Sequence, residues 1–149
     1  MLEKVFKDRD DYVILKMSDV FPRFFIGDDV DILCRSTSAF ADHIIKVLPD
    51  CRKSLKGNCI QVDLRYKILI VKFDLLYSTK QYGVDTDDVF SCSRRVSRGG
   101  NMYAVPCLDH ELKIRLAEYK KHPNKTWHRT FIGKYAPGLL FDLESRLKV

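Results

Sequence analysis

The stretch Gly27-Asp28-Asp29-Val30-Asp31-Ile32-Leu33 sets two carboxylates, Asp29 and Asp31, between apolar neighbours. Two residues apart on a strand, their side chains project from the same face. Carboxylates so placed resist ionising together unless a cation lies between them. Hard divalent cations such as Mg²⁺ take oxygen ligands and usually enter with phosphates. The pattern therefore suits nucleotidyl or phosphoryl transfer, in which metal ions hold a triphosphate and activate the attacking hydroxyl. Taken alone an Asp-x-Asp is a weak signal, since many are solvated strand ends. Its weight comes from its surroundings.

Upstream, Tyr12 to Lys16 reads as a short buried strand, followed by a loop with Pro22 and Phe24-Phe25. Downstream, Val30 to Cys34 is strand-like, Ser36-Thr37-Ser38 supplies helix N-cap residues, and Phe40, Ile44 and Leu48 at spacing four predict an amphipathic helix over 39–48, stopped by Pro49. Two more strands are expected at Cys59–Tyr66 and Ile68–Tyr77, paired antiparallel across a turn at Lys67. Each carries a mid-strand aspartate among apolar residues, Asp63 and Asp74. A buried aspartate without a partner is costly. Both are thus candidates for the third carboxylate of a metal site.

Residues 78–89 are polar and read as a surface loop. Val89–Ser93 and Met102–Val105 are expected to form a hairpin around Arg98-Gly99-Gly100-Asn101. Arg94, Arg95 and Arg98 beside that turn are either a phosphate clamp or a solvated hairpin tip, and Lys72 is a further phosphate candidate. From Asp109 the pattern is helical, with Asp109 as cap and Leu112, Leu116 and Tyr119 on one face. Further helices are expected at Thr126–Lys134, where His128 reads as a partly buried helix residue, and at Leu139–Leu147. Strands over 12–106 and helices over 109–148 predict a single domain, 1–149, of the α+β (mixed α/β) class: a mixed sheet with helices packed on it and a helical C-terminal third.

Composition sets the bounds. The 149 residues are 46% hydrophobic and 31% charged, which is ordinary for a folded domain. No apolar run approaches the roughly 20 residues that span a bilayer. The first residues carry acids where a secretory signal would be apolar. The expectation is a cytoplasmic protein without membrane insertion. Five cysteines without a Cys-x-x-Cys pair argue against a zinc site, and four lie in apolar neighbourhoods that read as buried. The net charge of +6 is uneven: residues 1–31 hold eight acids against five bases, and 109–149 hold nine bases against five acids. That surplus permits nucleic-acid binding through phosphate contacts, without a motif to argue for it.

Phe21-Pro22, then Gly27-Asp28-Asp29-Val30-Asp31-Ile32-Leu33-Cys34, is similar to the aspartate strand of the nucleotidyltransferase superfamily. More narrowly, the order of segments resembles small uncharacterised nucleotidyltransferase-like proteins encoded among surface-polysaccharide genes. The later matches are Val62-Asp63-Leu64, Lys72-Phe73-Asp74-Leu75, Ile114–Tyr119, then Pro123, Lys125 and His128. The resemblance runs from about residue 12 to 132. It departs at the superfamily's Gly-Ser turn, since Ser18 and Gly27 are not adjacent.

The resemblance implies a Mg²⁺ (or Mn²⁺) dependent transferase using a nucleoside triphosphate and a sugar or sugar-phosphate acceptor in glycan biosynthesis. Asp29 and Asp31 would bind metal, with Asp63 or Asp74 completing the site, and Arg94, Arg95 or Lys72 would steady phosphates. Two alternatives stand beside it. One is a catalytically silent domain of this fold that binds a partner or an anionic ligand, favoured by the missing turn. The other is a phosphocholine-type transferase of the LicD kind, which shares the fold and an aspartate-rich strand.

Overall fold

A parallel pairing of two aspartate-bearing strands organises the chain. The computed structural model describes residues 1–25, 27–57, 59–66 and 69–147. Strands β1 (Tyr12–Ile14), β2 (Asp29–Cys34), β3 (Cys51–Lys56), β4 (Cys59–Tyr66) and β5 (Leu69–Leu76) form one sheet in the order β1-β2-β5-β4-β3. Only β2 and β5 run parallel. The expected antiparallel β4–β5 pair is present, while Lys67 lies outside the described residues. The strand β3 on the far edge was not anticipated: its alternation is hidden because five of its six residues are exposed.

Between β2 and β3 runs helix α2 (Thr37–Val47), whose N-cap Ser36 accepts a hydrogen bond from the Ala39 amide, as the sequence predicts. It lays Phe40, Ala41 and Ile44 on one sheet face, against Ile32, Val62, Phe73 and Leu75, all inaccessible to solvent. Burying each such side chain contributes about 1.5–3 kcal/mol. Short helix α1 (Glu3–Phe6) adds Phe6, whose ring lies 4.8 Å from Tyr12, 5.8 Å from Phe21 and Tyr103, and 6.2 Å from Phe40.

The hairpin β6 (Arg94–Arg98) and β7 (Asn101–Val105) forms a second, two-stranded sheet. Its two-residue loop, Gly99 at φ 59° and Gly100 at φ 81°, demands left-handed conformations that glycine adopts without strain. The Tyr12 hydroxyl accepts from the Ala104 amide at 3.1 Å and so pins the hairpin to the edge of the main sheet. Val89 belongs not to this hairpin, as expected from sequence, but to helix α3 (Thr86–Ser91), capped by Asp85 within the supposed surface loop. Val89 is buried there against Val13, Leu33 and Ile114.

Helices α4 (Leu108–Lys121), α5 (Thr126–Tyr135) and α6 (Pro137–Leu147) complete the mixed α+β fold. The face of α4 differs from the one expected. Glu111, Ile114, Arg115 and Tyr119 are buried, Leu112 and Leu116 only half-buried, and Asp109 sits inside the first turn rather than at the cap. Of the cysteines only Cys34 is buried; Cys51, Cys59 and Cys107 are intermediate and Cys92 is exposed. Among the described residues no helix is long and apolar enough to cross a membrane.

Candidate functional site

The face of the main sheet opposite α2 changes character along β2 and β5. At one end Leu33 and Leu76 pack under α3 and α4 with Val13, Leu15 and Ile114. At the other end the face turns polar. Asp31 pairs in register with Asp74, and Asp74 with Gln61; Asp29 pairs with Lys72, and Lys72 with Asp63. Two rows thus cross three strands, one Asp31–Asp74–Gln61 and one Asp29–Lys72–Asp63.

This register separates the two candidates for third carboxylate. Asp74 is the direct neighbour of Asp31 on the adjoining parallel strand. Asp63 stands one strand farther, with Lys72 between it and Asp29. Strands lie about 4.8 Å apart, so Asp63 is about 10 Å along the sheet from β2 and cannot share an ion with Asp29 through short carboxylate arms. Asp63 is therefore replaced by Asp74 beside the aspartate pair. Its Oδ1 is buried without a hydrogen-bond partner among the described residues. Lys72 shares the polar face with Asp74 as well as standing opposite Asp29, closer to the site than its sequence position promised.

The electrostatics follow from this crowding. Burial, then the charge of Asp31, pushes the Asp29 carboxyl above its ordinary value. Burial, then Asp31 and Asp29, does the same to Asp74, despite a 3.0 Å hydrogen bond from the Gln61 amide. A carboxylate group strained in this way favours a cation.

One cation is already present, and no local sequence pattern pointed to it. Lys16 Nζ lies 2.9 Å from Asp31 Oδ2 and 2.9 Å from Glu118 Oε1, and the Tyr82 hydroxyl donates to the same Glu118 oxygen at 3.1 Å. Burial alone would depress the Lys16 ammonium; the charges of Asp31 and its other partners raise it instead. Glu118 is lowered: burial opposes ionisation, but the hydrogen bond and charge of Lys16 outweigh it. Strict strand alternation would put Lys16 on the α2 side with Tyr12 and Ile14. Because β1 ends at Ile14, the chain is free to turn Lys16 the other way.

A cleft of about 350 Å³ opens in front of β2, walled by Asp29, Asp31, Lys16, Phe24 and, from the far side, Lys125 and Trp127. Gly27, at φ 83°, turns the chain into the cleft. The Asp28 carboxylate is engaged locally, accepting from the Phe25 amide at 2.6 Å. Among the described residues no three His, Cys, Asp or Glu side chains converge as a ready-made metal cluster. Asp29, Asp31 and Asp74 share a face, and their oxygen donors suit a hard cation, but one oxygen of Asp31 is held by Lys16.

The arginines expected to clamp phosphate do not line this cleft. Arg98 donates to the carbonyls of Ser18, Asp19 and Phe21 at 2.8–3.2 Å and so braces the loop between β1 and β2. Arg94 donates to the Pro106 carbonyl and lines a neighbouring cavity. Arg95 lines a third, beside the N-terminal segment. His128 is buried, and its Nδ1 lies 3.3 Å from an Arg115 nitrogen, a donor only, so Nδ1 accepts and the proton sits on Nε2. Burial and the charges of Arg115 and Lys16 lower it to about 4. No family model, curated protein or solved structure matches the chain.

Proposed function

We propose that the chain is a metal-dependent nucleotidyl or phosphoryl transferase of nucleotidyltransferase fold, working in the cytoplasm on a sugar or sugar-phosphate acceptor for glycan assembly. The observation that carries this reading is the placement of Asp29, Asp31 and Asp74 on two adjacent parallel strands, where the cover of α3 and α4 ends. Asp29, Asp31 and Asp74 would hold Mg²⁺ or Mn²⁺, which when bound supplies Lewis-acid stabilisation of phosphate charge and a lowered pKa for an attacking hydroxyl. Gln61 orients Asp74 through its hydrogen bond. Lys125 supplies positive charge at the cleft and Trp127 a flat apolar wall, while Lys72 stands in register with Asp29 on the adjoining strand. The sugar-type acceptor rests on the resemblance alone.

The test is a thermal-shift titration with ATP, CTP, GTP and UTP, each with and without Mg²⁺ or Mn²⁺. A ligand at 100 times its Kd stabilises the fold by about 2.7 kcal/mol. Stabilisation that needs both nucleotide and metal, and vanishes in Asp31→Asn, supports the reading; no stabilisation by any pair refutes it.

A second reading is favoured by one observation: the Lys16 ammonium already neutralises Asp31. A domain of this fold that has exchanged its metal for a lysine would be catalytically silent and bind a partner or an anionic ligand. A phosphocholine-type transferase would differ from the first reading in acceptor and donor rather than in the aspartates.

A further inference from the structure

Behind the aspartate cleft lies a second cavity, of about 340 Å³, enclosed by the β6–β7 hairpin, α4, α5 and the chain just after β1. Its charged lining is Arg94, Arg98, Arg115 and Lys134 against Asp19 and Glu111, a surplus of two positive charges. The surplus is not dissipated by pairing. Arg94 approaches Glu111 only at 3.9 Å, and Lys134 is in no ion pair among the described residues. Arg115 is 4% exposed; its hydrogen-bonding contacts are neutral, the Met17 carbonyl at 3.1 Å and His128 at 3.3 Å, and the charges of Glu111 and Asp19 offset its own only in part. Its Nε is buried with no partner among the described residues. A guanidinium held so deep beside a cavity attracts an anion.

The remaining walls are flat and apolar. Trp127, 56% exposed, and Phe131 come from successive turns of α5, with the Arg115 guanidinium over the Phe131 ring at 4.8 Å. Met17, Ser18 and Trp127 line both this cavity and the aspartate cleft, so the two share one wall. We propose that this cavity binds a phosphate monoester carried on a ring, with the phosphate at Arg94 and Lys134 and the ring against Trp127 and Phe131. As a binding site it stands by itself; its role as the acceptor pocket rests on the transferase reading, which it would furnish with an anionic acceptor.

The sole tryptophan of the chain, Trp127, is the natural probe. In EDTA, so that no metal contributes, its fluorescence is titrated with ribose 5-phosphate and with AMP, and in parallel with ribose and adenosine. A saturable change with either phosphate, at least about tenfold weaker for its uncharged counterpart, is the expected result. A response to ribose 5-phosphate alone marks a sugar phosphate, and to AMP alone a nucleotide. Lys134→Gln, which removes no hydrogen bond, and Arg94→Gln with it, should weaken binding about tenfold or more, whereas Asp31→Asn should leave it unchanged. Absence of a saturable change, equal binding of the uncharged compounds, undiminished binding by the double variant, or loss in Asp31→Asn would each overturn the proposal. Because the titration is metal-free, its failure is distinct from failure of metal-dependent nucleotide binding.

Discussion

Replacing Lys16 by methionine tests whether the lysine competes with metal for Asp31. The substitution keeps much of the side-chain length and removes the charge that lies 2.9 Å from both Asp31 and Glu118. A divalent ion on Asp31 would sit within about 4 Å of that charge, where two unit charges interact by about 1 kcal/mol in water and about 4 kcal/mol at an effective dielectric of 20. Doubling for a divalent ion gives at least about 2 kcal/mol of relieved repulsion, or about thirtyfold in affinity. Mn²⁺ binding followed by electron paramagnetic resonance reads this directly, without turnover. Lys16→Arg, which keeps the charge, should bind Mn²⁺ as the parent does. The methionine variant also leaves Asp31 and Glu118 facing each other, so its melting temperature should fall. The loss is bounded by the roughly 3–5 kcal/mol seen when a fully buried pair is broken. Mn²⁺ affinity that is unchanged or weaker in a folded Lys16→Met protein would refute the reasoning.

Other consequences are open to simple measurements. Asp74→Asn removes one of three mutually repelling carboxylates; urea melts of the metal-free protein should show it more stable than the parent, while Mn²⁺ binding is lost, and Asp63→Asn should leave Mn²⁺ binding intact. His128 is held neutral, at about 4 rather than the usual 6.5. The folded state therefore binds fewer protons than the unfolded chain, and stability should fall as pH drops from 6.5 to 4, by up to about 3 kcal/mol. His128→Gln should flatten that slope in urea melts run across the window. Phe6→Ala should destabilise by about 3–5 kcal/mol, because a 2% exposed ring among four other aromatics leaves a cavity; a shift in melting temperature of less than a few degrees would show that the pocket collapses.

What was legible in the chain was what periodicity and local chemistry determine. The alternation in Cys59–Tyr66, the fourfold spacing of Phe40, Ile44 and Leu48, and the Gly99-Gly100 turn each encode their structure locally and are where the pattern places them, although the strand leading into the turn is Arg94–Arg98 rather than the expected Val89–Ser93. Helix α1 was not legible, because four residues are too few to display a period. Helix α3 was hidden by its own cap: Asp85, Asp87 and Asp88 read as loop, yet they suit a helix N-terminus, and only the burial of Val89 under α4 gives the turn a reason to form. The site divides in the same way. That Asp29 and Asp31 share a face follows from their spacing. Which of Asp63 and Asp74 joins them depends on strand order, and no local pattern states that β5, not β4, lies beside β2.

The two readings of the protein turn on the same physical question, namely what balances the acids at the open end of the sheet. With Lys16 in place, Asp29 and Asp74 remain above their ordinary values, so the lysine neutralises Asp31 without relieving its neighbours. A domain in which lysine had fully taken over a metal's role would gain by losing one of the other two acids, since each stands beside a like charge and Asp74 is half-buried as well. Both are present, on adjoining strands and in register with each other's neighbours. The residual repulsion favours a further cation, and Glu118 offers Lys16 a second place to rest, with Tyr82 holding that carboxylate ready. A lysine shared between two acceptors keeps Glu118 as a partner when Asp31 turns to another cation. That arrangement fits a metal site with a displaceable internal cation better than a site closed by one.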